Sequence, residues 1–339
     1  MGAAVLGLGL VAGAAQAEDI TLNLASYGGI AQEAEMKALF EPAAKKLGIT
    51  IKPFSIQGTA RIATLRAQQK ANAPTFDIME FFAGVCEQLS REGLTEKLDY
   101  NIINTDGIPK EVIGENWVGI DTYTSVISYN TSTFKTGGPQ TWADVWDLKK
   151  YPGKRSFNPS DHTLEMALLA DGVAPDKLYP ADIDRAFRKL EEIKPSVVAW
   201  WTTGAQATQL ARNEETDVQS TWHERVEEAI KTGAPYAFHF NQAIVGSDCM
   251  VIPKGAPHKD LAMKVMNLAI SAEAQADLPK YTTNGPINTK AYATGKITAA
   301  QAKDLSTSPE NLQHMIVQDV KWWSEHGSEV QERFNKLLN

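Results

Sequence analysis

Between residues 20 and 82 the chain alternates strand-like and helix-like segments, and this alternation narrows its possible folds more than any other feature. Residues 20–24 (ITLNL), 49–54 (ITIKPF) and 76–80 (FDIME) carry β-branched and apolar side chains over strand-length runs. Between them, 32–47 sets Met36, Leu39, Phe40, Ala43, Ala44 and Leu47 at helical spacing, and 59–70 sets Ile62 and Leu65 on one face. Pro42 kinks the first helix or restarts it, because a residue without an N–H fits only a first turn. Strand, helix and strand in this order build βαβ units, so the expected class is α/β with a mostly parallel sheet flanked by helices.

In such sheets ligands bind beyond the carboxyl ends of the strands. Two loops fall there, Ser26-Tyr27-Gly28-Gly29 and Glu80-Phe81-Phe82-Ala83-Gly84. Glycines beside aromatic residues let backbone approach a ligand while rings wall it in. Phe81 and Phe82 could equally pack in a core; Tyr27, between a serine and two glycines, is harder to place there.

The pattern restarts after a strand at 124–130, which marks a crossing point. A helix start at 141–146 is followed by a strand at 155–158 and helices at 162–170 and 182–193. A strand at 197–201, a helix at 204–213, a strand at 216–221, a helix at 222–231 and a strand at 236–240 complete a second α/β unit. The chain then returns through 243–253 (AIVGSDCMVIP), an apolar strand with Asp248 in its middle. A carboxylate there costs several kcal/mol unless donors or a cation meet it. Its partner is either fixed in the protein, an Arg or backbone amides, or is the cation of a ligand. A helix at 257–271, a Gly-Pro loop at 281–288 and helices at 298–304, 310–318 and 319–338 close the chain. At 339 residues two domains are expected: 18–129 with 247–297, and 130–246 with 298–339, joined by hinge crossovers.

Charge excludes some partners. The net charge is -8 and no contiguous Lys/Arg run exceeds two residues, which argues against nucleic acid and anionic membrane surfaces. Residues 1–17 are apolar, uncharged and end in Ala15-Gln16-Ala17, the form of a secretory cleavage site, although the usual basic start is missing. Export to the periplasm is therefore expected. Cys86 and Cys249, the two cysteines of the chain, are then a disulfide pair or two buried free thiols. The histidines show no metal-binding spacing, so neither a metal nor another cofactor is expected.

Several strings carry a family resemblance that covers almost the whole chain after residue 17. They are Ser26-Tyr27-Gly28-Gly29 with Gln32 and Glu33; Phe76-Asp77-Ile78; Gly93-Leu94-Thr95-Glu96-Lys97-Leu98-Asp99; and Thr141-Trp142-Ala143-Asp144-Val145-Trp146. Trp200-Trp201-Thr202-Thr203-Gly204-Ala205-Gln206, Trp222 with Arg225, and Ser247-Asp248 through Ile252-Pro253-Lys254-Gly255-Ala256-Pro257 follow in order. Together they resemble the spermidine/putrescine-binding branch of the type II periplasmic binding proteins, the substrate-binding components of ATP-driven importers.

The resemblance implies two lobes that close over a small ligand by hinge bending, a monomer, and delivery to the membrane permease subunits of the importer. It implies that Asp248 meets an ammonium group while aromatic side chains clamp the ligand's methylenes. The expected ligand-binding residues are Ser26, Tyr27, Gly28, Phe82, Trp201, Gln206, Trp222, Arg225 and Asp248. Adjacent Trp200 and Trp201 point to opposite faces, so at most one faces the cleft and the other is core. Gln206 either bonds a ligand or caps its own turn. The sequence departs from the polyamine pattern: a second acidic residue is represented only by Asp161-His162, and Trp222-His223-Glu224-Arg225 introduces a cation. One carboxylate and one Arg suit a zwitterion, with the ligand's ammonium at Asp248 and its carboxylate near Arg225 or Arg61; Arg225 could instead pair with Glu224 or Glu228 on its own helix. The ligand class is a small amine, either a polyamine or an ω-amino acid such as γ-aminobutyrate. A secreted hydrolase lacks its motifs here, since no G-x-S-x-G or zinc signature occurs, and a metal carrier of the same fold would need more converging ligands than Tyr27 and Asp248.

Overall fold

The computed structural model describes residues 20–159 and 162–339; the expected signal segment and Asp161 lie outside them. Among the described residues nine strands form one mixed sheet, in the order β2-β1-β3-β8-β4-β7-β5-β6 with β9 pairing β8. The strands are β1 (Thr21–Ser26), β2 (Thr50–Ser55), β3 (Ile78–Phe82), β4 (Trp117–Asn130), β5 (Arg155–Phe157), β6 (Val197–Trp200), β7 (Val218–Trp222), β8 (Tyr236–Val251) and β9 (Ile316–Val317). Pairing is parallel within β2-β1-β3 and within β7-β5-β6, and antiparallel where β8 and β4 join the two groups.

In the first group, α1 (Gly29–Glu35) and α2 (Glu41–Leu47) are linked by one π-helical turn, Met36–Phe40. Pro42 sits in the first turn of α2, and the widened turn before it accommodates the carbonyls that a proline ring would crowd. Helices α3 (Gly58–Lys70) and α4 (Ala83–Arg91) complete the βαβ units. The second group carries α5 (Trp142–Trp146), α6 (Thr163–Ala170), α7 (Ile183–Ile193), α8 (Gly204–Arg212) and α9 (His223–Lys231). Thr141 caps α5 reciprocally with Asp144, and α7 turns Ala186, Phe187, Leu190 and Ile193 inward. Then come α10 (Lys259–Ala269), α11 (Ala272–Gln275), α12 (Ala299–Asp304), α13 (Pro309–Leu312) and α14 (Val320–Leu338).

The apolar core divides where β4 and β8 change character. Trp117, Val118 and Ile120 of β4 and Cys249, Met250 and Val251 of β8 belong to one cluster with Leu22, Leu24, Ile78 and Val265. Farther along, Ile127 and Ile244 belong to a second cluster with Trp142, Phe157, Leu190 and Phe334, and Val126 and Ala243 to a smaller one beside it. Between these cores both strands turn polar: Asp121-Thr122-Tyr123-Thr124-Ser125 on β4 and Gly246-Ser247-Asp248 on β8. They lie in register, Asp121 opposite Asp248, Thr122 opposite Ser247 and Tyr123 opposite Gly246. The polar middle of the two connecting strands is the floor between the lobes.

The structure differs from the sequence reading at three elements. Strand β4 starts at Trp117, seven residues before the expected 124, because its polar middle hides one continuous strand. Strand β8 joins the expected 236–240 and 243–253 segments into one strand that ends at Val251. The helix expected at 310–318 is only α13; Ile316 and Val317 leave it to pair with Ile244 and Val245 and continue the ladder on that side of β8. The last helix bridges the cores, with Trp322, Trp323 and Phe334 packed in the second and Trp323 seated 3.2 Å from where a side chain on Gly84 of α4 would begin.

Candidate ligand site

Strand β1 delivers Ser26, Tyr27 and Gly28 to the edge of the floor. Gly28 has φ 76°, and a Cβ there would stand 2.6 Å from the Ser55 hydroxyl, so only glycine fits. The Gln57 amide donates to the Tyr27 carbonyl and fixes that turn. The Tyr27 hydroxyl donates to Asp248 Oδ1 at 2.5 Å, and the Arg61 guanidinium lies 3.8 Å from the centre of the Tyr27 ring. Phe82, at the end of β3, pairs with Asp248 on the opposite side of β8 from Asp121.

Aromatic rings continue from the first lobe into the second. Phe82 stands 5.6 Å from Tyr27 and 4.8 Å from Tyr123. Tyr123 stacks on His162 at 4.9 Å and meets Trp222 edge-on at 6.4 Å; Trp222 meets Trp201 edge-on at 5.0 Å. The hydroxyl end of the Tyr123 ring lies against Gly246, where a Cβ would fall 2.3 Å from it. His162 shares a hydrogen bond of 2.8 Å with Ser125 and holds φ 64°, a strained backbone of the kind that gathers at functional sites.

Tyr27, Phe82, Trp222 and Asp248 remain partly exposed, whereas a second layer of carboxyl groups beneath them is closed off. Burial first, then the charges of Asp121 and Glu80, hold the Asp248 carboxyl well above the usual range, against the Tyr27 hydrogen bond and Arg61. Tyr27 is likewise pushed well up, by burial and then by Asp248. Glu80 is pushed up to about 7 by burial, although the Ser26 hydroxyl, Arg61 and Glu35 favour its charge. Asp121 is pushed up to about 7, also by burial. It accepts the Thr122 N–H at 2.6 Å and the Asn284 amide at 3.4 Å. Glu35 rises well above its ordinary range through burial and then the charges of Glu80, Asp121 and Asp248. Like charges directly opposite each other in a sheet are destabilising, and this floor places Asp121 against Asp248. Arg61 is a cation whose charge favours the ionised forms of Glu80 and Asp248; its side chain is buried, donates to the Ile56 carbonyl at 3.1 Å, and leaves its Nε–H without an acceptor.

The remaining expected site residues lie on the second lobe. Trp222 ends β7 and opens α9. Trp201 is only 1% exposed and donates its indole N–H to the Ser220 carbonyl at 2.9 Å, so it backs Trp222 instead of facing the cleft. Its neighbour Trp200 packs against Phe157 and Phe334. Gln206 is exposed and takes the Thr202 N–H at 3.0 Å; it caps its own turn. Arg225 stands 3.3 Å from Glu224 and 3.9 Å from Glu228, with its buried Nε–H in no hydrogen bond. It lies against the start of α8, where a Cβ on Gly204 would fall 2.3 Å from Nε. Cys86 and Cys249 form a disulfide that ties α4 to β8 one residue past Asp248, with Cα atoms 6.5 Å apart. Among the described residues no group of three His, Cys, Asp or Glu side chains is placed to hold a metal ion, and no helix is long and apolar enough to cross a membrane.

Sequence reasoning placed Glu80 in an expected ligand loop without giving it a role, and missed Glu35, Asp121 and Tyr123 as parts of this site. For the strand residues the signal is the alternation of β3 and β4, which turns Glu80 and Phe82, and Asp121 and Tyr123, to one face.

Two α/β lobes on a pair of long antiparallel strands, with a partly exposed carboxylate and a row of rings between them, define a two-lobed solute-binding protein. The chain belongs to the bacterial extracellular solute-binding proteins, whose family pattern matches residues 38–304, and it is a solute-binding component of an ABC transporter, not an enzyme. It is 30% identical to the gamma-aminobutyric acid-binding protein of Pseudomonas aeruginosa over 96% of this chain and 92% of that protein. A solved ABC transporter substrate-binding protein from Bradyrhizobium japonicum is 39% identical with a TM-score of 0.90, covering 94% of this chain and 99% of that one. A solved GABA receptor is 34% identical with a TM-score of 0.84, covering 93% of this chain and 97% of that one.

Proposed function

We propose that the protein captures a small amine, specifically an ω-amino acid such as γ-aminobutyrate, in the cleft between its lobes. The observation that carries this reading is the crowded acidic floor: Asp121 stands opposite Asp248 in register, Glu35 and Glu80 lie beside them, and each is held above its ordinary range. A ligand ammonium against Asp248 restores the charge balance and adds charge-assisted hydrogen bonds. The faces of Tyr27, Phe82 and Trp222 supply methylene contacts and cation–π attraction of about 0.5–2 kcal/mol.

Arg225 sets the choice between a zwitterion and a diamine. It receives the ligand's carboxylate beside the N-terminal end of α8, where backbone dipoles also favour an anion. A diamine of similar length would bring its second ammonium to that guanidinium. Two relatives are named for γ-aminobutyrate, which supports the choice of ligand. The lobes that close are 18–129 with 247–297 and 130–246 with 298–339. The protein acts as a periplasmic monomer, exported by its first 17 residues, and hands its ligand to the importer's membrane permease subunits.

Thermal unfolding with γ-aminobutyrate, putrescine, spermidine, an acidic amino acid and a sugar tests the reading. Stabilisation by amines is expected, largest for γ-aminobutyrate, and about 3 kcal/mol at a hundredfold excess over Kd. Stabilisation by the sugar without any amine response would refute it.

A further inference from the structure

One short loop touches both the floor of the site and the helix that follows Trp222. Residues 282–285 leave the first core between Leu278 and Ile287. On one side the Asn284 amide donates to Asp121 at 3.4 Å, and the Thr122 hydroxyl donates to the Gly285 carbonyl at 3.2 Å. Gly285 packs so closely on Thr307, in the 298–339 segment, that a Cβ would fall 1.9 Å from its hydroxyl, so the loop is tied to that segment as well. On the other side Thr283 reaches α9, whose Val226 and Ala229 belong to the second lobe. The buried His223 ring donates its Nε2–H to the Thr283 carbonyl at 3.0 Å, and the Thr283 hydroxyl donates to Glu227 Oε2 at 2.5 Å. One residue of the first lobe thus holds two successive turns of the helix that carries Trp222 and Arg225.

We propose that Thr283 is the latch that holds α9, and with it Trp222 and Arg225, against a bound ligand, and so sets how long the ligand stays. For the choice of ligand the inference rests on the amine reading above; the latch itself does not. With Thr283 in the 247–297 segment and α9 in the 130–246 segment, the proposal has these bonds break as the lobes part, so that they act on release and leave entry unchanged. A hydrogen bond to a charged acceptor is among the stronger ones in proteins. Asn284 links the latch to the floor, so the same loop borders the carboxyl groups that a cationic ligand neutralises.

The test is Thr283→Val, which keeps the shape and removes the hydroxyl, with Glu227→Gln as a second variant that keeps an acceptor. With γ-aminobutyrate as probe in stopped flow, T283V should release it about tenfold faster, with an association rate within twofold of wild type and an unchanged melting temperature without ligand. E227Q should fall between the two. An unchanged release rate overturns the latch, and so does a ligand-free melting temperature that drops in T283V, which marks a merely structural contact. If the wild type binds no amine, the ligand reading fails and the latch is judged without ligand. Paramagnetic relaxation from a spin label on exposed Glu33 to amides of α9 reports a minor closed state; its loss in T283V supports the latch, and its persistence overturns it.

Discussion

Replacing Asp248 by asparagine should move affinity and stability in opposite directions. In the ligand-free protein the carboxylate is a burden: it faces Asp121 across β8 and β4, Glu80 lies near, and its pKa is pushed well up by burial. The amide keeps an oxygen for the Tyr27 hydroxyl, now 2.5 Å from Oδ1, and carries no charge. D248N should therefore melt at the wild-type temperature or about 2 °C above it, since about 1 kcal/mol moves a domain of this size by a few degrees. Binding loses a charge-assisted contact worth about 1.5–3 kcal/mol, or about ten- to a hundredfold in Kd. Titration calorimetry with γ-aminobutyrate and thermal melts without ligand, both at pH 8, read the two effects. An affinity within twofold of wild type, or a lower melting temperature for the free protein, would refute the assignment, because either makes Asp248 a structural residue.

The other carboxyl groups predict a pH dependence. Glu80 and Asp121, both raised to about 7, keep protons in the folded state that the unfolded chain has already released. Their contribution to stability is complete below about pH 4 and is lost as pH rises through about 7, so ligand-free melting temperatures should fall between pH 5 and 8. Glu80→Gln should flatten that slope, and equal slopes for wild type and E80Q would show that Glu80 is not its source. For the disulfide, thiol counting on unreduced, denatured protein should find no free thiol. Replacing Cys86 and Cys249 by alanine should lower stability in urea by up to about 5 kcal/mol, the chain-entropy value for a separation of 163 residues.

The βαβ order was legible because the strands of the first lobe are short, apolar and separated by amphipathic helices. The long strands were legible only in part, for the reason that makes them useful. Periodicity finds a strand by its apolar side chains, and β4 interrupts Trp117-Val118-Gly119-Ile120 with Asp121-Thr122-Tyr123-Thr124-Ser125 before resuming at Val126. That polar stretch resembles a loop until it is set beside Gly246-Ser247-Asp248, with which it lies in register. Asp248 stood out because a single carboxylate lies in an apolar run, and Asp121 did not because its neighbours are polar too. Its partner in charge is non-local, 127 positions along the chain, and local pattern carries no trace of such a pair.

Arg225 shows the limit from the other side. Its own helix and a ligand were both possible partners in the sequence, and the structure engages the guanidinium without satisfying it. Glu224 and Glu228 lie at 3.3 and 3.9 Å, and the buried Nε–H has no hydrogen bond. These ion pairs hold the cation in place but leave its Nε–H without a hydrogen bond, and Gly204 leaves room for the side chain to lie against the start of α8. A guanidinium so oriented needs little reorganisation to accept a carboxylate, whereas one in a bidentate pair would first have to break it. The same logic holds at the acidic end, where Tyr27 gives Asp248 one hydrogen bond and burial leaves the rest of its charge unmet. On the proposed reading the two ends of the site are prepared in one way: each charged group is positioned by neighbours that leave one of its hydrogen-bonding positions open, and a zwitterion would fill both.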